Sequence, residues 1–258
     1  MISESEHHHN CRYIAKKHRR VVAVTLTLIL ILSSIYFVFI HKALSPLRVE
    51  PKNNSAVVIL DDGCPNPSGA AHFRVTCKTI SGAAGKGAHS SMLLKTLVNI
   101  DNSINVPFRE LIFINIADTD GKSSKFAIAE GLRLAQEFDP LVINLSYSLS
   151  QQDIEIEHLL QNLASNDIKI FAAYSNFFFE EESFPASSPS TIGVKIGERT
   201  TRRDGNNLML ESELVESISQ EHPSTSAASI IALAFDSICS KKPQQNAMAT
   251  KMCPFFLK

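Results

Sequence analysis

Residues 141 to 176 read LVINLSYSLSQQDIEIEHLLQNLASNDIKIFAAYSN, and the predicted fold class rests first on the pattern of apolar residues in them. Two short apolar runs, at 141–146 and 168–174, enclose a stretch at 154–165 in which apolar residues recur at helical spacing. Strands that are buried on both faces of a parallel sheet have such continuous apolar sequences. The stretch therefore predicts a strand, a helix and a second strand that runs parallel to the first.

The same alternation continues on both sides of this unit. It predicts strands at 56–60, 111–117 and 191–196 and helices at 90–100, 125–138 and 225–238. Short apolar strands that alternate with helices are typical of an α/β fold, in which helices cover both faces of a mostly parallel sheet. We expect one domain at 56–258, preceded by a linker at 41–55 that lacks periodicity and contains prolines and asparagines.

Residues 21–40 are twenty consecutive residues without a charge, and as one transmembrane helix they would cross a bilayer core of about 30 Å. Residues 1–20 hold five basic and two acidic residues, so the positive-inside rule keeps this basic tail in the cytoplasm. A cleaved signal peptide is the competing interpretation, but the following HKALSPL is a poor cleavage site. We predict an uncleaved signal anchor, with residues 41–258 exported to the periplasm or the extracellular space.

The composition and motifs argue against nucleic-acid, cofactor and metal binding. The chain has 25 Lys+Arg against 26 Asp+Glu, without the basic excess that a nucleic-acid partner requires. It also lacks a Gly-rich phosphate loop and the C-x-x-C pairs of a zinc site, so we predict no cofactor and no metal. The sequence does not indicate an oligomeric state.

Five cysteines are present, and Cys11 is cytoplasmic in the predicted topology. Cys64, Cys77, Cys239 and Cys253 then lie in an oxidising compartment, where disulfides form. Four cysteines allow three pairings, among which the sequence does not choose. A bridge between Cys64 and Cys77 is one candidate, because these two residues bracket a short loop.

Polar residues stand where the predicted strands end and helices begin. Asp61 follows the first strand, His89 opens the next helix, Asn176 follows the strand at 168–174, and Ser226 lies in the first turn of the last helix. Each has an ordinary structural explanation as a turn or cap residue. Together they belong at the carboxyl edge of one sheet, and their order along the chain matches one known arrangement.

Six segments in this order resemble the subtilisin (S8) family of serine peptidases. They are SAVVILDDG, AHSSMLL, DPLVINLSYS, IKIFAAYSN, FPASSPSTIGV and STSAASIIALA. The resemblance implies a subtilisin-like three-layer sandwich and a peptide or protein substrate. It implies that Asp61, His89 and Ser226 form a catalytic triad and that Asn176 donates a hydrogen bond to the oxyanion. The residues that it implies for pairing with an extended substrate are Ser146, Tyr147 and Ser148.

The chain departs from the family pattern at four positions where serine replaces glycine, namely Ser90, Ser148, Ser175 and Ser224. Glycine permits close approach of the backbone to a ligand, so we expect these serines to narrow the cleft or to shift the nucleophile. A second register of the histidine motif is also open, three residues earlier, with Lys86 in the catalytic position. We prefer His89, because Ser91 then matches the threonine of the family.

Two functions follow from these observations. The first is a membrane-anchored serine endopeptidase, which the four retained residue types favour. The alternative is a catalytically impaired pseudoenzyme that binds peptides or docks a partner, which the lost glycines favour. A phosphoryl-transfer or receiver-like domain built on Asp61 and Asp62 is disfavoured, because it leaves Asn176 and Ser226 without a role.

Overall fold

The structure is a computed structural model, and it describes residues 56–176, 183–197, 201–220, 224–240, 250 and 252–256. The predicted basic tail, the signal anchor at 21–40 and the linker at 41–55 lie outside the described residues. Among the described helices, none combines the length and the apolar character that crossing a membrane requires.

The described strands form one eight-stranded sheet. They are β1 (Ala56–Asp61), β2 (Arg74–Thr79), β3 (Glu110–Asn115), β4 (Val142–Leu145), β5 (Lys169–Ala173), β6 (Ile192–Gly197), β7 (Arg202–Asp204) and β8 (Asn207–Glu211). Their order is β2-β3-β1-β4-β5-β6-β8-β7, and all neighbours run parallel except β7 and β8. The prediction of a mostly parallel sheet is confirmed.

Helices cover both faces of this sheet. They are α1 (Ala88–Ile104), α2 (Lys125–Gln136), α3 (Ile154–Ser165), α4 (Ser212–Ser219) and α5 (Thr225–Ser240), with a short 3-10 helix at Cys253–Phe255. Alternate residues of β1 point to opposite sides. Val57 and Ile59 pack with α1, α4 and α5, whereas Val58 and Leu60 pack with α2 and α3. The result is a three-layer arrangement with a separate apolar core on each face of the sheet.

The strand order reverses at β1, with β2 and β3 on one side and β4, β5 and β6 on the other. In open α/β sheets, ligands bind in the crevice outside the carboxyl ends of the strands at such a point. Asp61 is the last residue of β1, so the topology brings its carboxylate to this crevice.

Two disulfides join cysteines of the described domain. Cys64 pairs with Cys77, which confirms the bridge that the sequence offered as one candidate, and Cys239 pairs with Cys253. The first bridge ties the loop after β1 to β2. The second joins the end of α5 to the 3-10 helix.

Three glycines allow the loop after β1 to pack against the segment that leads into α1. A Cβ on Gly85 would lie 1.8 Å from the Asp62 carbonyl oxygen, and one on Gly87 would lie 2.1 Å from the Cys64 carbonyl oxygen. Gly63 faces the same segment, and a Cβ added there would lie 2.4 Å from the Gly87 nitrogen. Gly87 also has a φ of +73°, a conformation that glycine adopts without strain. Side chains at these positions would separate Asp61 from α1.

We predict that Gly87→Ala destabilises the fold by about 1–3 kcal/mol more than Gly82→Ala, because of the added backbone clash. Gly82 is the matched control, since it has a similar φ of +80° but no atom within 4 Å of its Cβ position. The measurement is the free energy of unfolding of both variants by chemical denaturation. Equal losses for the two variants would show that the close approach at Gly87 does not contribute.

Candidate active site

Asp61 and His89 are hydrogen-bonded to each other at the carboxyl edge of the sheet. The His89 Nδ1 lies 2.8 Å from Asp61 Oδ1 and 3.0 Å from Asp61 Oδ2. The Asp61 side chain is fully buried, whereas the His89 side chain is 37% exposed. With Nδ1 as the donor to the carboxylate, the other ring nitrogen, Nε2, is the one that remains for proton transfer.

Asp62 fixes the start of α1, the helix that carries His89. Its Oδ2 accepts a hydrogen bond from the His89 amide at 3.0 Å, and its Oδ1 accepts one from the Ser90 amide at 2.9 Å. The N-cap residue of α1 is Gly87, which has no side chain to cap the helix. The carboxylate of Asp62 therefore supplies the cap from a different loop and fixes the backbone from which His89 projects.

The two carboxylates determine the charge behaviour of His89. Burial lowers the pKa of His89, but the hydrogen bond to Asp61 and the charges of Asp61 and Asp62 outweigh it, so the net shift is upward. Burial raises the pKa of Asp62, but hydrogen bonds from Ser90 and His89 outweigh it and the net shift is downward. Protonated His89 therefore stabilises the fold below the unfolded pKa of about 6.5, and this contribution is lost as the pH rises through the folded pKa.

Ser226 lies in the first turn of α5 and is 4% exposed. Ser224 caps this helix, since its Oγ accepts a hydrogen bond from the Ala227 amide at 3.1 Å. The Ser226 Oγ donates to the Ser146 carbonyl oxygen at 3.4 Å. Within the described part of the chain, no hydrogen bond joins Ser226 to His89.

Asn176 contacts the residue that precedes Ser226. Its Oδ1 accepts hydrogen bonds from the Thr225 amide at 3.0 Å and from the Thr225 hydroxyl at 2.9 Å. Thr225 Oγ1 also lies 2.6 Å from the Tyr174 carbonyl oxygen. These contacts fix the side-chain oxygen of Asn176 toward α5 and leave its Nδ2 donors without an acceptor among the described residues. A side-chain amide donor of this kind can stabilise an oxyanion.

The segment after β4 lies beside Ser226. Ser146, Tyr147 and Ser148 are half-buried, and the Tyr147 hydroxyl donates to the Gly121 carbonyl oxygen at 3.1 Å. Burial, reinforced by nearby carboxylates, raises the pKa of Tyr147, so its phenol remains neutral at physiological pH. The segment continues to Leu149, whose main chain pairs with that of Phe184.

Three of the serines that stand where the resemblance to subtilisins predicts glycine lie at hydrogen-bonded positions. Ser90 is fully buried, and its Oγ donates to the Gly63 carbonyl oxygen at 2.9 Å. Ser224 caps α5, and the Ser175 amide donates to the Ser183 Oγ at 2.9 Å. The hydroxyls of Ser90 and Ser224 thus serve local structure at helix starts.

Of the two registers for the histidine motif, His89 is the residue that the structure brings to Asp61, whereas Lys86 is exposed. Sequence reasoning missed two features of the site. One is the contact of Thr225 with Asn176, and the other is the capping of α1 by Asp62. The sequence signal for Thr225 is its position immediately before Ser226, in the segment STSAASIIALA that resembles the subtilisin family.

Asp61, Asp62 and His89 also offer a group of atoms within 4.8 Å of one another that could hold a metal ion. Both oxygens of Asp61 and of Asp62 accept hydrogen bonds in this group. When His89 Nδ1 donates to Asp61, that nitrogen holds a proton and offers no lone pair to a metal ion.

Comparison with known proteins identifies the fold of the described domain. No protein-family model and no curated protein matches the sequence. The structure of the prenylagaramide maturation protease PagA matches with a TM-score of 0.53 and 16% identity, over 71% of this chain and 74% of that chain. A mutant of the protease domain of PatA matches with a TM-score of 0.51 and 15% identity, over 74% of this chain and 82% of that chain. The chain has a subtilisin-like protease fold.

We predict that His89 titrates above pH 6.5 in the folded chain and that Asp61→Asn lowers its midpoint, because the charged hydrogen-bond partner is lost. The measurement is an NMR pH titration of the imidazole signals, with His89→Gln to assign the resonance. Asp120→Asn removes a carboxylate from an exposed loop and is the charge control. A His89 midpoint that Asp61→Asn leaves unchanged would contradict the pairing.

Proposed function

We propose that this chain is a serine endopeptidase that hydrolyses peptide bonds through Asp61, His89 and Ser226. The observation that carries the proposal is the buried Asp61 carboxylate, whose two oxygens hold His89 Nδ1 at 2.8 and 3.0 Å. Such a contact selects the tautomer in which Nε2 accepts a proton, and it stabilises the imidazolium that results. The subtilisin-like fold of the domain supports the same function.

The reaction begins when Ser226 Oγ bonds to the substrate carbonyl carbon and gives its proton to His89 Nε2. Negative charge then develops on the carbonyl oxygen, which the Asn176 Nδ2 and the Ser226 amide stabilise with hydrogen bonds. When the peptide bond breaks, His89 returns the proton to the leaving amine. A water molecule repeats the sequence in the second half, releases the new carboxyl end and regenerates Ser226.

The substrate is an extended peptide or protein segment that pairs with the main chain of Ser146, Tyr147 and Ser148. In the structure, Ser226 Oγ donates a hydrogen bond to the Ser146 carbonyl oxygen. The hydroxyl must rotate away from that carbonyl toward His89 before it can attack. Because His89 acts as a base only when neutral, its raised pKa moves the rise of activity to a higher pH than an unperturbed histidine would give.

The alternative function is a pseudoenzyme that binds peptides or docks a partner without cleaving them. One observation favours it, namely that Ser226 Oγ contacts Ser146 and has no hydrogen bond to His89 within the described residues. Free enzymes often show long nucleophile–base contacts that tighten only when substrate binds. We therefore give the hydrogen-bonded Asp61–His89 pair, which favours the peptidase, more weight than the position of the Ser226 hydroxyl.

We also propose that the chain is a single-pass membrane protein, with residues 1–20 in the cytoplasm, the anchor at 21–40 and the peptidase domain on the exported side. The apolar run and its basic flank support this topology. The disulfides Cys64–Cys77 and Cys239–Cys253 support it independently, because disulfides persist in oxidising compartments outside the cytoplasm.

The test is labelling of the full chain, purified in detergent, with a serine-reactive fluorophosphonate. We expect Ser226 to be labelled in the wild type and Ser226→Ala to remain unlabelled. Asn176→Ala should slow labelling about 100- to 1,000-fold, because an oxyanion donor is lost. A wild-type chain that is folded by circular dichroism yet unlabelled would contradict the endopeptidase and favour the pseudoenzyme.

A further inference from the structure

Asn144 places a polar side chain in the apolar layer between the sheet and α5. On β4 it stands in register with Ile59 of β1 and Phe171 of β5, and all three residues are fully buried. A buried amide that lacks hydrogen-bond partners costs about 1–3 kcal/mol. The reaction described above does not use Asn144, so the partners of its side chain indicate what it does.

The oxygen and the nitrogen of the Asn144 side-chain amide form hydrogen bonds with two different elements. Its Oδ1 accepts a hydrogen bond from the Ser229 Oγ of α5 at 2.6 Å. Its Nδ2 donates to the Ser146 Oγ, in the segment after β4, at 2.8 Å. One rigid side chain thus joins the helix that carries Ser226 to the segment that lies beside it.

These contacts close a ring around the nucleophile. Ser229 follows Ser226 by three residues, which is about 4.5 Å along the helix axis and on the same face. Ser226 Oγ in turn donates to the Ser146 carbonyl oxygen. The links from Ser229 through Asn144 to Ser146 therefore fix both the rotation and the axial position of the first turn of α5, and they do not depend on the Ser226 hydroxyl, which must turn toward His89.

We propose that Asn144 is a positioning residue that holds Ser226 in register with the exit of β4. This inference rests on the proposed peptidase function. An apolar side chain of similar size would fill the same space without directing either neighbour, whereas a satisfied buried polar network specifies one geometry. Displacement of a reacting atom by about 1 Å can cost about 100-fold in rate.

The rest of α5 is anchored independently of Asn144. Lys169 Nζ at the start of β5 lies 2.7 Å from Asp236 Oδ2, and Cys239 at the other end of the helix is disulfide-bonded to Cys253. Loss of the Asn144 contacts therefore shifts the first turn of the helix and leaves its attachment to the sheet intact. Variants at this position are expected to fold.

The test compares the fluorophosphonate labelling rate of the full chain in detergent among the wild type, Asn144→Ala, Ser229→Ala and Ser237→Ala. Ser237 is the matched control, because it is also a buried hydroxyl of α5 but donates to the Leu233 carbonyl of its own helix. We expect the first two variants to be labelled about 10- to 100-fold more slowly, and Ser237→Ala to react like the wild type. Thermal unfolding of each variant reports stability separately.

The double variant Asn144→Ala/Ser229→Ala should be labelled no more slowly than Asn144→Ala alone, because both changes break the same link. Folded single variants that react like the wild type would overturn the positioning role and leave the peptidase proposal standing. Equal slowing in Ser229→Ala and Ser237→Ala would overturn it as well, by assigning the effect to helix stability. A folded wild type that is not labelled would overturn both proposals, since no nucleophile would then exist to position.

Discussion

The arrangement of the site depends on one buried charge, the carboxylate of Asp61. An ionised carboxylate without partners is costly to bury, and here both oxygens contact His89 Nδ1 while one also accepts the Asp62 amide at 2.6 Å. This requirement brings the end of β1 against the start of α1. It explains why Gly85 and Gly87 lack side chains, and why Asp62 caps a helix to which it does not belong.

A second set of hydrogen bonds organises the other half of the site around α5. Thr225 orients the amide of Asn176, and Ser224 caps the helix on which Ser226 lies. The chain has only ten glycines, and at four positions serine stands where the resemblance to subtilisins predicts glycine. Gly87 lies where a backbone contact excludes Cβ, whereas the Ser224 hydroxyl accepts a hydrogen bond from a helix amide that glycine would leave to water.

The sequence predicted most of the central fold because buried parallel strands and amphipathic helices have distinct apolar patterns. The helix at 154–165 agrees with α3 at both ends, and the central strands agree to within one or two residues. The edge strand β2, RVTCKT, was missed because it is partly exposed and its composition is polar. The links of Asn144 to Ser229 and of Asn176 to Thr225 were missed for a different reason. They join residues 85 and 49 positions apart, and no local pattern encodes which buried polar groups meet.

In the proposed reaction, the carboxylate that stabilises protonated His89 must still leave His89 neutral at the start, so that its Nε2 can accept the Ser226 proton. The most direct measurement is a crystal structure of the full chain after reaction with a peptide boronate. We predict a tetrahedral boron bonded to Ser226 Oγ, with one boron oxygen about 3 Å from Asn176 Nδ2 and His89 Nε2 within hydrogen-bond reach. An unmodified Ser226 that still donates to the Ser146 carbonyl, with the boronate bound elsewhere or absent, would contradict it.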